Sequence, residues 1–184
     1  MPRNFSEHSQ VLSCMNEKQQ RYEALVHAFH ADIYRYAFYL IKDKSIAEDV
    51  VQETFLRAWR SLDALKDEKA AKAWLITIVR RENARRFEKK QFDTVDIDTN
   101  PVVDDTVFTE QSLQEADMQR LLLMLSEPYR EPLILQLLFG YSGDEIATQL
   151  NLNKNTVMSR LFRARNQLKE LLSKQNGEKG RHNG

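Results

Sequence analysis

The sequence predicts an all-α protein: two small helical domains joined by a flexible linker, the second containing a helix-turn-helix. Three observations carry this expectation. Apolar residues recur at helical spacing over most of the chain, and no segment shows the period of two that marks a half-buried strand. Only 5 Gly and 4 Pro occur in 184 residues, so few positions force a turn. The apolar period lapses after Phe92, and Asn100-Pro101 stops any helix there.

Charge and composition set the outer limits. With 29% charged and 42% hydrophobic residues the chain is ordinary for a globular protein. Its 27 basic residues balance its 27 acidic ones, which excludes a uniformly basic nucleic-acid binder. The balance hides a pattern. No Lys or Arg lies between Gln91 and Gln119, whereas basic residues gather from Arg80 to Lys90 and again from Lys154 onward. Cys14 stands alone, so no intrachain disulfide forms and a reducing compartment is expected. No apolar run approaches the roughly 20 residues of a membrane span, and the polar N-terminus does not resemble a signal peptide. The expected setting is cytoplasmic, without membrane insertion.

Taken in order, residues 1–20 are polar and without a clear period, and are expected to be flexible. A first domain spans 21–92. From Tyr22, an apolar stripe through Leu25, Val26, Phe29, Ile33, Tyr36, Ala37, Leu40 and Ile41 predicts a long core helix. Ser45 with Glu48 reads as a capping box opening a second helix, in which Val51, Phe55, Ala58, Trp59 and Leu62 point inward. Glu48, Asp49, Gln52 and Glu53 fall near its outer face. That patch is either a solvated face with Asp49 or Glu53 paired to Arg57, or a docking surface. In a third helix, Ala73, Trp74, Ile76, Ile78 and Val79 give way to Arg80, Arg81, Arg85, Arg86, Phe87, Lys89 and Lys90. Aromatic rings among cations suit single-stranded nucleic acid, because rings stack on bases while charges follow phosphates. Trp74 suits the core equally well.

An acidic linker is expected over 93–112 and a second domain over 113–174, with residues 175–184 a flexible tail. Leu113, Leu121, Leu122, Leu125, Leu133, Leu135, Leu137 and Leu138 supply its core, with Pro128 and Pro132 near helix starts. Ser142 with Glu145 is a capping box for a short helix carrying Ile146, Ala147 and Leu150. Asn151-Leu152-Asn153 then breaks it, and Asn153 caps the next helix. In that helix Val157, Leu161, Ala164, Leu168 and Leu171 form the buried face. Asn155, Ser159, Phe162, Arg163 and Asn166 fall on the opposite side. Such a face carries groups for base edges, a guanidinium for guanine or phosphate, and an apolar surface for a thymine methyl. The plainer reading is an amphipathic helix with a solvated face.

Motifs in fixed order now narrow the choice. The run from Ala47 to Trp59 (AEDVVQETFLRAW), then Ala73-Trp74-Leu75, then Glu127 to Pro132 (EPYREP), then Asn155 to Arg165 (NTVMSRLFRAR), resembles the extracytoplasmic-function (ECF) sigma factors, in the sigma-70 family of bacterial RNA polymerase. The resemblance covers roughly Tyr22 to Leu172. It implies two helical domains, regions 2 and 4, without the intervening region of larger sigma factors. It assigns Asp49, Gln52 and Glu53 to docking on core RNA polymerase. It assigns Trp74, Arg80, Arg81, Asn83, Arg85 and Arg86 to the minus-10 element of promoter DNA. Asn155, Thr156, Ser159, Arg160, Phe162 and Arg163 match the minus-35 reader. Arg81 stands where many relatives carry Asn, and Met158 where a basic residue is frequent. An anti-sigma factor is a further partner that the resemblance implies. No cofactor, metal or catalytic group is expected: His27 and His30 lack a second ligand pair. The alternative is a stand-alone helix-turn-helix regulator, which leaves the acidic-amide patch and the Trp74 segment without a role.

Overall fold

The computed structural model describes residues 5–92 and 113–179. The expected acidic linker, 93–112, lies outside the described residues. Every element among those residues is helical. They are α1 (Phe5–Ile41), α2 (Lys44–Ser61), 3-10 turns at Leu62–Ala64 and Glu68–Ala70, α3 (Ala71–Phe92), α4 (Leu113–Met124), α5 (Glu127–Phe139), α6 (Gly143–Leu150) and α7 (Lys154–Lys179). The chain divides into two compact units, one of Met1–Tyr34 with Glu48–Val95, the other of Arg35–Ala47 with Asp96–Gly184.

The first unit packs α1, α2 and α3 around Leu25, Ile33, Val51, Phe55, Ala58, Leu62, Leu75, Ile76 and Val79, all buried. Aromatic contacts join α1 to α2: the Tyr22 and Trp59 rings meet edge-on at 5.1 Å, and His30 stacks on Phe55 at 5.5 Å. The Tyr22 hydroxyl donates to the Phe55 carbonyl at 3.2 Å. Thr54, fully buried on α2, hands its hydroxyl proton to the Val50 carbonyl, so it hides a polar group without leaving it unpaired.

Two boundaries differ from the sequence reading. Helix α1 starts at Phe5, well before Tyr22. Just before Tyr22 the helix is held by polar ties. Lys18 pairs with Asp63 at 2.8 Å and lies 5.4 Å from the Trp59 ring centroid, and Arg21 donates to the Leu65 carbonyl at 3.1 Å. At the other join, Asp43 caps α2, accepting from the Ile46 N–H at 2.9 Å. Ser45 sits inside the first turn, so the Ser45–Glu48 box does not form the cap. Aspartate is an equally good cap and stands two residues earlier, where the positive φ of Lys42 (64°) has already broken α1.

In the second unit α4, α5, α6 and α7 enclose Leu121, Leu122, Leu125, Leu133, Ile134, Leu135, Ile146, Leu150, Val157, Leu161 and Ala164. Of the expected core leucines, Leu137 is 55% exposed and Leu138 half-buried. Pro128 falls in the first turn of α5 as expected, but Pro132 lies inside the helix and is buried. Arg130, also buried, donates to the Leu125 carbonyl at 2.7 Å, and burial pulls its pKa below the usual guanidinium value. Gly140 ends α5 at φ 67°, a left-handed conformation that costs a glycine little. Helix α7 continues to Lys179, past the point where the sequence turns polar.

Candidate functional site

Three surfaces carry the residues singled out by the sequence, and each is built by local chemistry. On α7 the helix-turn-helix is fixed by caps. Both arms of the Ser142–Glu145 box are present: the Ser142 N–H donates to Glu145 Oε2 at 2.8 Å, and the Glu145 N–H to Ser142 Oγ at 3.3 Å. The Ser142 N–H, with the Ser142 hydroxyl donating to the same Oε2 at 2.7 Å, favours the charged carboxylate and holds Glu145 below its ordinary pKa. Asn151 closes α6 at φ 54°, and Asn153 Oδ1 accepts from the Thr156 N–H at 2.7 Å to open α7. The turn between α6 and α7 is therefore closed by residues close to it in sequence.

The phase of α7 follows. Val157, Leu161 and Ala164 are at most 1% exposed, while Asn155, Ser159, Arg163 and Phe162 are exposed, the last at 64%. Thr156 and Arg160 are half-buried at the edges. A concavity of about 540 Å³ brings together Asn153, Asn155, Thr156, Ser159, Arg160 and Arg163. Pro128 and Tyr129 of α5 complete its wall, and sequence reasoning missed their place there. The Tyr129 hydroxyl accepts from Arg163 Nη1 at 3.2 Å. Nothing in local spacing signals a contact between residues so far apart in sequence.

On α2, Asp49 and Gln52 are exposed and Glu53 half-buried. Glu53 pairs with Arg57 at 3.0 Å, one turn on. Leu56, at i+3 from Glu53, is 50% exposed and adds an apolar group to the same face. Its spacing from Gln52 was the signal available for finding it.

Along α3, Trp74, Arg80 and Arg86 are half-buried, while Arg81 and Arg85 are exposed. Phe87 is 51% exposed, with the Arg86 guanidinium carbon 5.6 Å from its ring centroid. Asn83 does not join this surface. It is 7% exposed, and its Oδ1 is buried without a hydrogen-bond partner. Its neighbour Glu82 is likewise buried at 8%, accepts from Arg85 Nη1 at 2.9 Å and lies 2.6 Å from Arg57 Nε. Among the described residues no group of three or more His, Cys, Asp or Glu is placed to hold a metal ion. No helix of those residues is long and apolar enough to cross a membrane.

An all-helical protein with a capped helix-turn-helix and a polar, arginine-bearing recognition face is of the DNA-binding class. Comparison with known proteins gives the family. Residues 25–92 match Sigma-70 region 2, and residues 115–168 match Sigma-70, region 4. The chain is 35% identical over 150 residues to the ECF RNA polymerase sigma factor SigL of Mycobacterium tuberculosis, covering 77% of this chain and 82% of SigL. It is 28% identical over 149 residues to SigX of Bacillus subtilis, covering 76% and 77% respectively. Among solved structures, the sigma factor RpoE of Bartonella quintana, in complex with the anti-sigma factor NepR, matches with a TM-score of 0.64 at 31% identity, covering 84% of this chain and 96% of that one. The chain belongs to the ECF sigma factors. It is an alternative sigma factor that works with RNA polymerase to direct promoter-specific transcription.

Proposed function

We propose that the work is divided among the three surfaces. Asp49, Gln52 and Glu53 on α2 dock on a basic face of core RNA polymerase. Trp74, Arg80, Arg81, Arg85 and Arg86 on α3 engage the minus-10 element, the tryptophan stacking on an unpaired base while the arginines follow phosphates. Asn155, Thr156, Ser159, Arg160, Phe162 and Arg163 on α7 read the minus-35 element in the major groove. Asn83 contributes from inside the packing of α3 and not as a base contact. An anti-sigma factor restrains the protein, as NepR pairs with the similar RpoE. The chain acts in the cytoplasm and catalyses no reaction of its own.

The observation that carries this reading is the phase of α7: exposed Asn155, Ser159, Phe162 and Arg163 over fully buried Val157, Leu161 and Ala164. With a formal net charge of +0 the free protein binds DNA weakly, because phosphate attraction dominates such affinities. Polymerase supplies the missing affinity by holding both readers on one scaffold, where the second contact forms at high effective concentration. Transcription by purified core enzyme with this protein, on promoters randomised at both elements, tests the whole scheme. Selection of a paired minus-10 and minus-35 sequence is expected. Equal sequence selection by the protein without polymerase would favour a stand-alone regulator instead.

A further inference from the structure

We propose that Tyr129, on α5, is a positioning residue for minus-35 recognition: it holds the Arg163 guanidinium in the orientation that reads a base edge. This rests on the reading of α7 as the minus-35 element's partner.

The geometry is a two-point hold. The Tyr129 hydroxyl accepts from Arg163 Nη1 at 3.2 Å, and the Arg163 guanidinium carbon lies 6.0 Å from the Tyr129 ring centroid. Tyr129 itself is anchored. It lies in the first turn of α5 behind Ser126, whose carbonyl accepts its N–H at 3.0 Å, and α5 is set in the unit's core by Leu133, Ile134 and Leu135. A rigid phenol on a fixed helix thus reaches an exposed arginine on another.

Flexibility explains why that matters. A free arginine side chain loses rotamer entropy when fixed, and Arg163 is an exposed residue that core packing does not confine. Fixing it before DNA arrives removes part of that cost from the binding step. A guanidinium has five N–H donors. One bond to Tyr129 leaves enough for the two-point contact that a guanine edge accepts. The neighbouring tie from Arg165 Nη2 to Gln136 Oε1, at 2.6 Å, locks α7 to α5 along the same seam, so the Tyr129 phenol and the Arg163 backbone keep their separation. Tyr129 also lines the concavity beside Asn155, Ser159 and Arg160. The surface that meets DNA is therefore shared between α5 and α7.

The test is a double-mutant cycle in the holoenzyme. Tyr129→Phe removes the hydroxyl and keeps the ring. The probe is a promoter fragment enriched by wild-type holoenzyme from a library randomised at the minus-35 element. A second fragment has the base pair most sensitive to Arg163→Ala replaced. Tyr129→Phe is expected to weaken binding to the first fragment roughly three- to tenfold and to leave binding to the second unchanged. In an Arg163→Ala background it should add no further loss. Equal losses in both backgrounds would overturn the proposal by showing that Tyr129 acts independently of Arg163. So would a silent Tyr129→Phe beside a weakened Arg163→Ala, with the reading of α7 left intact. An Arg163→Ala holoenzyme that binds every fragment like wild type would remove that reading, and the proposal with it. If Tyr129→Phe lowers the thermal transition, the same cycle run below that transition decides the matter.

Discussion

Arg57 Nε stands 2.6 Å from the buried carboxylate of Glu82, close enough for strong attraction although its N–H is not aligned into a hydrogen bond. The same Glu82 oxygen receives Arg85 Nη1 at 2.9 Å. One buried carboxylate therefore faces cations from two helices, and this pays for its removal from water. Glu82→Gln keeps the volume and removes the charge. The Arg57 and Arg85 side chains are 38% and 54% exposed, so solvent screens much of the attraction. We expect a loss of about 1–3 kcal/mol, read as a lower urea midpoint. An unchanged midpoint would show the pairs to be fully screened.

Glu53 tests the polymerase face. It pairs with Arg57 at 3.0 Å, with both side chains 38% exposed, an interaction of a few tenths of a kcal/mol. Glu53→Lys should thus cost less than about 1 kcal/mol of stability yet abolish capture of core enzyme, because charge reversal opposes a basic partner face. Capture at wild-type strength would take Glu53 out of the interface.

The phase of α7 is tested by two residues that are near neighbours in sequence. Arg163→Ala should reduce minus-35 discrimination by about 1–3 kcal/mol while polymerase binding stays intact. Leu161 is 1% exposed, and Leu161→Ala should lower stability by roughly 2–5 kcal/mol through the cavity it leaves. The reverse pattern, an unstable Arg163→Ala and a normal Leu161→Ala, would mean that the helix is rotated.

Acid tests the cap of α6. The pKa of Glu145 is lowered in the folded protein by its bonds to Ser142. The unfolded chain therefore takes up this proton first as pH falls. Stability from the capping box is present above the ordinary carboxylate pKa and fades as pH drops through the lower, folded value. Thermal transitions of wild type and Glu145→Ala should differ at neutral pH and converge in strong acid. A difference that persists there would show that the side chain works by packing and not by charge.

What the sequence discloses depends on whether one strong periodic signal settles the geometry. Val157, Leu161 and Ala164 alternate with polar residues at a clean helical period, so the face of α7 is legible from spacing alone. In α3 the apolar signal ends at Val79, and nothing beyond it fixes the phase. Glu82 turns inward where Arg57, on another helix, supplies charge, a long-range term invisible to local spacing. The start of α2 offers two overlapping caps, of which Asp43 is used. The part of α1 just before Tyr22 is held by ties such as Lys18 to Asp63, 45 residues apart, which no period records. The Tyr129–Arg163 contact is hidden for the same reason.

The chain of caps around α6 also bears on how the protein comes into being. Ser142 with Glu145, Leu152 with Ala147, and Thr156 with Asn153 are bonded across only three to five residues. Closing such short loops costs little entropy, and structures rich in local contacts form quickly. The bend that aims α7 is thus available to a nascent chain soon after Val157 has been synthesised, before the more distant packing of the unit is complete. Mutations in these caps should slow folding as much as they lower stability, giving φ-values near one.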